Sequence, residues 1–330
     1  RNRDPRLRKQ DRQVMALRYG SRSRPGTMVS TWLNGLVSGI VIFDAAYFAG
    51  GAAPGAVATV DKFAFSDDSR TTLGTGLSSS RSSLGGAANS GTAAYFAGGT
   101  GPVATVDKFD FSDDGRTTLG TGLSSARRSL AGAANSGTAA YFAGGYTTGD
   151  VDTVDKFAFS DDSRTTLGTG LSSARAYLAG AANSGTAAYF AGGISPYTAT
   201  IDKFAFSDDG RTTLGTGLSA AAGHLAGAAN SGTAAYFAGG YITGPLDTVD
   251  KFAFSDDGRT TLGTGLSAAR YNLGGAANSG TAAYFAGGST GSLVVTVDKF
   301  AFSDDGRTTL GTGLSVARQN LAGAANSGTL

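Results

Sequence analysis

The chain has 330 residues, of which 41% are apolar and 10% aromatic, so it can bury a substantial core and is not a disordered polymer. It has no cysteine and one histidine, His224, which excludes disulfides, thiolate metal sites and clustered-histidine metal sites, and we expect no cofactor. The chain has 52 glycines and 25 aspartates but no glutamate, a composition that favours turns between strands over helices. Its formal net charge is +2, and the charged residues are distributed unevenly along the chain.

The basic charge belongs to the N-terminal segment. Residues 1–34 carry nine Arg or Lys against two Asp, whereas the rest of the chain is mildly acidic. We interpret residues 1–35 as a basic, disordered leader or a fragment. Because the remaining chain has no basic excess, no specific nucleic-acid partner is predicted.

The longest apolar stretch, "GLVSGIVIF" at 35–43, is too short to span a bilayer, and no membrane span is expected. A basic segment followed by a short apolar run and small residues is typical of a secretory signal. The alternative, which we favour, is that "LVSGIVIF" is a degenerate first strand of a repeat, because Leu36 precedes Tyr47 by the same distance as Leu84 precedes Tyr95.

Residues 36–330 contain six copies of one unit. The sequence Tyr-Phe-Ala-Gly-Gly recurs every 46 to 48 residues, at Tyr47, Tyr95, Tyr141, Tyr189, Tyr236 and Tyr284. Each unit has four short runs rich in Ala, Val, Thr, Tyr and Phe, represented by "LAGAAN", "TAAYFAGG", "ATVDKFDF" and "RTTLGTGLS", with turn residues between them. The repeat therefore predicts an all-β, six-bladed β-propeller of four-stranded antiparallel blades.

The last unit is expected to contribute a strand to the first. A well-formed first strand follows every copy, and the final one, "LAGAANSG" at 321–328, lies beside the C-terminus. We expect it to complete the blade that begins near Tyr47, so that no sheet edge stays open. Residues 36–43 are then displaced or form an extra strand. In the alternative assignment, residues 36–43 are themselves the first strand of blade one.

The repeat resembles the kelch family of β-propellers. The resemblance rests on the aromatic strand that ends in a glycine pair and on the "AR..LAG" segment after the fourth run, and it covers residues 36–330. The pairs are Gly50-Gly51, Gly98-Gly99, Gly144-Gly145, Gly192-Gly193, Gly239-Gly240 and Gly287-Gly288. The chain departs from the family at its usual fourth-strand tryptophan, near whose position Thr71 or Leu73 stands.

Two windows differ among the copies while the rest is nearly constant. They are the connection between strands two and three and the two residues after the arginine that follows strand four, and in an up-and-down blade both lie at one end. Tyrosines in these windows favour a binding surface, because recognition surfaces are rich in tyrosine. The competing explanation is that loops tolerate sequence change, so that a few aromatic residues occur there by chance. The windows contain the candidate ligand-binding residues Tyr146, Tyr177, Tyr197, Tyr241, Tyr271 and His224.

A second candidate site is a set of arginines at one position of the unit. In kelch domains that bind acidic peptides, arginines here line the mouth of the channel, so the resemblance implies an anion-binding rim. The alternative is a structural arginine paired with an aspartate such as that of "VDKF". The set is Arg81, Arg127, Arg175, Arg270 and Arg318, and Ala222 interrupts it.

Catalysis is not expected. The galactose-oxidase relatives of the kelch fold need cysteine and several histidines, and nothing around His224 resembles a nucleophile elbow. The recurring "SDDG" is interpreted as an Asp-Gly hairpin turn rather than a calcium loop.

The sequence predicts a non-enzymatic binding module whose variable windows recognise an acidic peptide, a glycan or another anionic ligand. The alternative is a structural subunit of a surface or virion appendage that uses the same windows for subunit contacts. The partner is thus a protein or glycan, a homo-oligomer is compatible with either function, and an extracellular or surface-associated location is the preferred interpretation.

Overall fold

The computed structural model describes residues 44–326, and all regular secondary structure in this range is β-strand. The strands form six groups, which we number blades 1 to 6. Blade 1 contains β1 (Ala45–Ala49), the small hairpin β2 (Ala52–Ala53) and β3 (Gly55–Ala56), β4 (Val60–Ala64) and β5 (Arg70–Thr72). Blade 2 contains β6 (Gly85–Asn89), β7 (Ala93–Ala97), β8 (Val106–Asp110) and β9 (Arg116–Thr118). Blade 3 contains β10 (Ala131–Asn135), β11 (Ala139–Ala143), β12 (Val154–Ala158) and β13 (Arg164–Thr166).

The remaining strands repeat this arrangement. Blade 4 contains β14 (Ala179–Asn183), β15 (Ala187–Ala191), β16 (Ile201–Ala205) and β17 (Arg211–Thr213). Blade 5 contains β18 (Ala226–Asn230), β19 (Ala234–Ala238), β20 (Val249–Ala253) and β21 (Arg259–Thr261). Blade 6 contains β22 (Gly274–Asn278), β23 (Ala282–Ala286), β24 (Val297–Ala301) and β25 (Arg307–Thr309), and the last strand is β26 (Ala322–Asn326).

Blade 1 is completed by β26, as the sequence predicted. Its strand order is β26-β1-β4-β5, all antiparallel, with Tyr47 opposite Ala324 and Lys62. The first strands β6, β10, β14, β18, β22 and β26 contact one another in a closed ring. The chain is therefore a six-bladed β-propeller with both edges of the ring joined. The predicted role of residues 36–43 lies outside the described residues.

The second strand of each blade holds adjacent blades together. Successive side chains of a strand point to opposite faces, and both faces of β1 are buried. Tyr47 packs toward blade 2, where its ring centroid is 5.0 Å from that of Phe111. Phe48 packs toward blade 6 and meets Phe63 edge to face at 5.8 Å. The alternation gives each interface one tyrosine and three phenylalanines, which form the core between blades.

The first strands approach each other so closely that only glycine fits at one position. A Cβ on Gly180 would lie 2.2 Å from the carbonyl oxygen of Gly132, and a Cβ on Gly132 would lie 2.2 Å from that of Gly86. The same contact recurs round the whole ring of Gly86, Gly132, Gly180, Gly227, Gly275 and Gly323. The small residues of the first strand thus set the spacing at the channel.

The second aspartate of "SDD" joins neighbouring blades, a role that the sequence did not reveal. Asp114, in the turn after β8, adopts a left-handed backbone with φ of 57°. It accepts hydrogen bonds from the Tyr47 hydroxyl at 2.6 Å and from Lys62 Nζ at 2.9 Å, both in blade 1. Burial and this hydrogen bond raise the pKa of Tyr47. The turn predicted here is present, and it also fastens each blade to the preceding one.

The fourth strand is shorter than the predicted run. In blade 1 only Arg70–Thr72 is strand, and the rest of "RTTLGTGLS" belongs to the linker that leads to blade 2. Leu77, expected in the fourth strand, lies buried in that linker. The two glycines of the run, which favour turns over strands, explain the early end. Within residues 44–326 no helix is long and apolar enough to cross a bilayer.

Candidate functional site

The connections that vary among copies lie together at one end of the propeller. Antiparallel pairing places each strand 2–3 connection and each linker after strand four on the same side. We call this side the variable face. It consists of the strand 2–3 connections 50–59, 98–105, 144–153, 192–200, 239–248 and 287–296 and the linkers 73–84, 119–130, 167–178, 214–225, 262–273 and 310–321.

The predicted arginines are inside the protein and not at a rim. The five side chains are 0–1% exposed, and each pairs at 2.7–2.9 Å with an aspartate in the third strand of the next blade. The anion-binding rim expected from them is therefore wrong, because buried guanidinium groups that are already paired cannot meet a ligand at the surface. The pairs are Arg81–Asp107, Arg127–Asp155, Arg175–Asp202, Arg270–Asp298 and Arg318–Asp61.

Each arginine fixes its linker onto the blade that follows. Arg127 donates to Asp155 at 2.9 Å and to the Phe142 carbonyl at 3.0 Å. Burial raises the pKa of Asp155, but a hydrogen bond from Thr166, the charge of Arg127 and hydrogen bonds from Ser124 outweigh it and hold the pKa below its usual value. The pair is therefore ionised at neutral pH, and its function is structural, which was the alternative considered from the sequence.

Six residues surround the opening of the channel on the variable face. They occupy the second position after the arginine, or after Ala222 in the linker into blade 5, and have φ between 55° and 63°. They are linked in a closed ring in which each N–H donates to the carbonyl of the preceding copy at 2.7–2.8 Å. We call them the mouth residues. They are Ser83, Ser129, Tyr177, His224, Asn272 and Asn320.

Four of the predicted residues form an aromatic cluster at this opening. The ring centroids of Tyr177 and His224 are 4.0 Å apart, and those of His224 and Tyr271 are 6.1 Å apart. Tyr241 meets Tyr271 at 5.1 Å. The four side chains come from the linkers into blades 4, 5 and 6 and from the strand 2–3 connection of blade 5. We call Tyr177, His224, Tyr241 and Tyr271 the aromatic cluster.

The other two predicted tyrosines differ in their positions. Tyr197 is half-buried, and burial together with the nearby Tyr241 hydroxyl raises its pKa, so it lies at the border of the aromatic cluster. Tyr146 lies apart from the cluster, with the guanidinium of Arg128 5.1 Å from its ring centroid. The structure therefore brings four of the six candidate aromatic residues into ring contact, while Tyr197 lies near Tyr241 and Tyr146 lies apart.

Asparagines complete the site and were missed by sequence reasoning. The Asn272 Oδ1 lies 2.7 Å from His224 Nδ1, and Asn272 Nδ2 donates to Gln319 Oε1 at 3.3 Å. Burial lowers the pKa of His224, and the bond to Asn272 raises it by less, so the imidazole is neutral at neutral pH. The signal was available, because Asn272 and Asn320 occupy the position that Tyr177 and His224 occupy in their copies.

The variable face has few charges. Apart from the five buried arginines, its connections contain only Arg128, Asp150, Asp152 and Asp247. These four give one positive and three negative charges, a net of −2. Because the face is weakly negative, it has no electrostatic preference for anions.

The opening is small. The cavity among the mouth residues and the leucines beneath them has a volume of about 70 Å³. Ligand pockets for drug-sized molecules are several times larger, on the order of 300 Å³ or more. A ligand of the variable face must therefore lie across it. Among residues 44–326 no three His, Cys, Asp or Glu side chains come together as a group able to hold a metal ion.

Comparison with known proteins supports the β-propeller fold. No protein-family model and no curated protein sequence matches the chain. A solved structure of YjhT is similar with a TM-score of 0.61 and 15% sequence identity, over 74% of this chain and 87% of that one. Identity at this level shows a shared fold alone.

Proposed function

We propose that the chain is a non-enzymatic, kelch-like binding module whose variable face binds a glycan that carries no net charge. The observation that carries the proposal is the aromatic cluster at the opening of the channel, on a face with few charges and no basic excess. The proposal narrows the ligand classes considered from the sequence to one.

The chemistry of the opening suits a hydroxyl-rich ligand with flat apolar surfaces. Tyrosine presents an apolar ring and a polar hydroxyl at a small cost in conformational entropy. The amide groups of Asn272 and Asn320 and the hydroxyl of Ser83 line the same opening as Tyr177 and His224 and can both donate and accept hydrogen bonds. Since the cavity is only about 70 Å³, we expect several sugar units to lie across the face rather than one sugar to enter it.

The other ligand classes have less support. An acidic peptide or another anion would need the arginines at the surface, and all five are buried. A permanent subunit contact would need a large apolar patch, whereas Val295 and Val316 are the only exposed large hydrophobic residues among those the structure describes.

Glycan-array screening followed by calorimetry tests the proposal. Replacing both Tyr241 and Tyr271 by Ala should weaken binding of an uncharged oligosaccharide about 10-fold, because aromatic contacts of this type contribute about 0.5–1.5 kcal/mol each. Tyr146→Ala is the matched control: it removes a tyrosine from the same face but outside the cluster, and affinity should stay within about twofold.

Two further results would contradict the proposal. Binding of an uncharged glycan should not change between low and high sodium chloride, so affinity that falls with salt and is confined to acidic ligands would favour the anionic class. Light scattering should show a monomer, and self-association that is lost in the Tyr241→Ala, Tyr271→Ala variant would favour the structural subunit.

A further inference from the structure

One of the six blade interfaces lacks its arginine. In the linker from blade 4 to blade 5, Ala222 occupies the position that Arg175 occupies one unit earlier. The aspartate that would pair with it is still present: Asp250 accepts hydrogen bonds from the Ser219 amide at 2.8 Å and hydroxyl at 2.9 Å, and from the Thr261 hydroxyl at 2.6 Å. This interface thus contains a carboxylate that is 4% exposed and has no cation beside it in the structure.

A cavity takes the place of the missing side chain. It has a volume of about 20 Å³ and is lined by Ala222, Phe237, Leu246, Thr248 and Asp250, among others. One water needs roughly 10–15 Å³ of such space, so the cavity can hold a group somewhat larger than a water molecule. The five corresponding aspartates are 0% exposed, whereas Asp250 is slightly exposed through this gap.

The other interfaces show which group this environment accepts. In blade 3, Arg127 donates to the Phe142 carbonyl at 3.0 Å, to Asp155 at 2.9 Å and to the Ser124 hydroxyl at 3.4 Å. The equivalent residues in blade 5 are Phe237, Asp250 and Ser219, and all three line the cavity. The acceptors that hold a guanidinium five times in this molecule are therefore arranged a sixth time around an open space.

We propose that this cavity, between blades 4 and 5, is a binding site for a guanidinium cation. The ligand is a small free guanidinium compound or the head group of an arginine from a partner chain, because both present the same planar set of donors. Asp250 supplies the charge, and the Phe237 carbonyl and the Ser219 hydroxyl supply further acceptors. The site is independent of the glycan-binding proposal.

Thermal unfolding of the full chain in guanidinium chloride tests the site. At about 1 to 20 mM, too dilute to denature, the salt should raise the Tm saturably by about 2 °C or more relative to equal sodium chloride. Urea at the same concentrations should give no rise. Ala222→Arg should raise the Tm in sodium chloride and abolish the response, since the new side chain fills the site.

Two variants keep the test decisive if Ala222→Arg does not fold. Arg175→Ala creates the same cavity beside Asp202, so it should lower the Tm and gain a second, rescuing response to guanidinium. Asp250→Asn should remove the response of the original site. A wild-type protein that does not respond while Arg175→Ala is rescued would overturn the proposal, as would an equal response to ammonium or potassium.

The source of the cation is resolved by two probes. Methylguanidinium and a short peptide with one internal arginine, each at the same concentration, are compared on the wild type and on Asp250→Asn. Stabilisation by both probes indicates that a partner's arginine can enter, and stabilisation by methylguanidinium alone indicates a free small cation. No response to either probe contradicts the site.

Discussion

The buried arginine of each linker shows how one side chain can determine the position of a whole segment. Arg127 lies in the linker into blade 3 and is 0% exposed, and its partner Asp155 is anchored independently by Ser124 and Thr166. The position of the aspartate therefore does not depend on the arginine. The interface with Ala222 confirms this, because Asp250 keeps its hydrogen bonds without a guanidinium.

Removal of one of these arginines should destabilise the protein strongly. We expect Arg127→Ala to lower the free energy of unfolding by about 3 kcal/mol or more, since it leaves the buried Asp155 carboxylate without its cation. Urea unfolding is the measurement, because guanidinium would itself occupy the new cavity. The adjacent Arg128→Ala is the control: Arg128 is half-buried against Tyr146, and its loss should change stability by less than about 1 kcal/mol.

The buried imidazole of His224 should make the stability of the protein depend on pH. Because burial holds its folded pKa below the usual 6.5, the unfolded chain binds the proton first, and stability should fall as pH decreases below about 6.5. The slope is at most about 1.4 kcal/mol per pH unit, the limit for one proton. Aspartates such as Asp155, with lowered pKa, lose their contribution only below about pH 4.

Urea unfolding between pH 5 and 7 measures this dependence. His224 is the only histidine in the chain, so His224→Gln should be nearly independent of pH in that window. An unchanged slope in the variant would show that another group titrates there.

One position in the first strand of each blade has no room for a side chain. Gly180 meets the backbone of blade 3, and a Cβ at 2.2 Å from a carbonyl oxygen requires the two strands to separate. Separation at one interface is resisted by the ring, because every first strand contacts two others. Glycine at this position is thus a condition for six blades to close.

Gly180→Ala tests that condition. We expect the free energy of unfolding to fall by about 1–3 kcal/mol or more, as it does for overpacked cores. Thermal and urea unfolding are the measurements. Gly168→Ala is the matched control, because nothing lies within 4 Å of the Cβ that it adds, and its effect should stay within about 0.5 kcal/mol. Equal effects of the two variants would show that the contact at the channel is not what limits the substitution.

Strand order and closure were predictable because the signal is local and repeated. The continuous apolar run in "TAAYFA" is typical of a strand buried on both faces, and the offset of the last copy identifies its partner. The pairing of Arg127 with the aspartate of "VDKF" was one of two alternatives that the sequence left open, because deciding between a buried pair and an exposed rim requires the position of Asp155 in the following blade. The aromatic cluster is likewise formed by residues from different units, and the sequence shows them as candidates without showing that they touch.

The junction of β26 with β1 makes the six blades one cooperative body. Arg318 in the last linker pairs with Asp61 of blade 1 and donates to the Phe48 carbonyl at 3.1 Å, so a side-chain contact reinforces the strand pairing. Loss of β26 would expose the edge of β1, whose backbone could then pair with another chain.

Deletion of residues 322–330 should therefore abolish the stable monomer. We expect aggregates or mixed oligomers in size-exclusion chromatography with light scattering, together with a lower Tm. Deletion of 327–330 alone keeps β26 and should leave both unchanged. A monomeric, equally stable protein without β26 would show that closure does not depend on this strand.

The ring of hydrogen bonds at the mouth has an electrical consequence. All six N–H groups point the same way round the circle, each toward the carbonyl of the preceding copy. Around a circle, the in-plane components of six head-to-tail dipoles cancel as vectors, so this ring of hydrogen bonds gives the opening no net dipole across the channel. Its donors are also already used. Discrimination between ligands at this opening is thus left to the side chains, the part of the unit in which the copies differ.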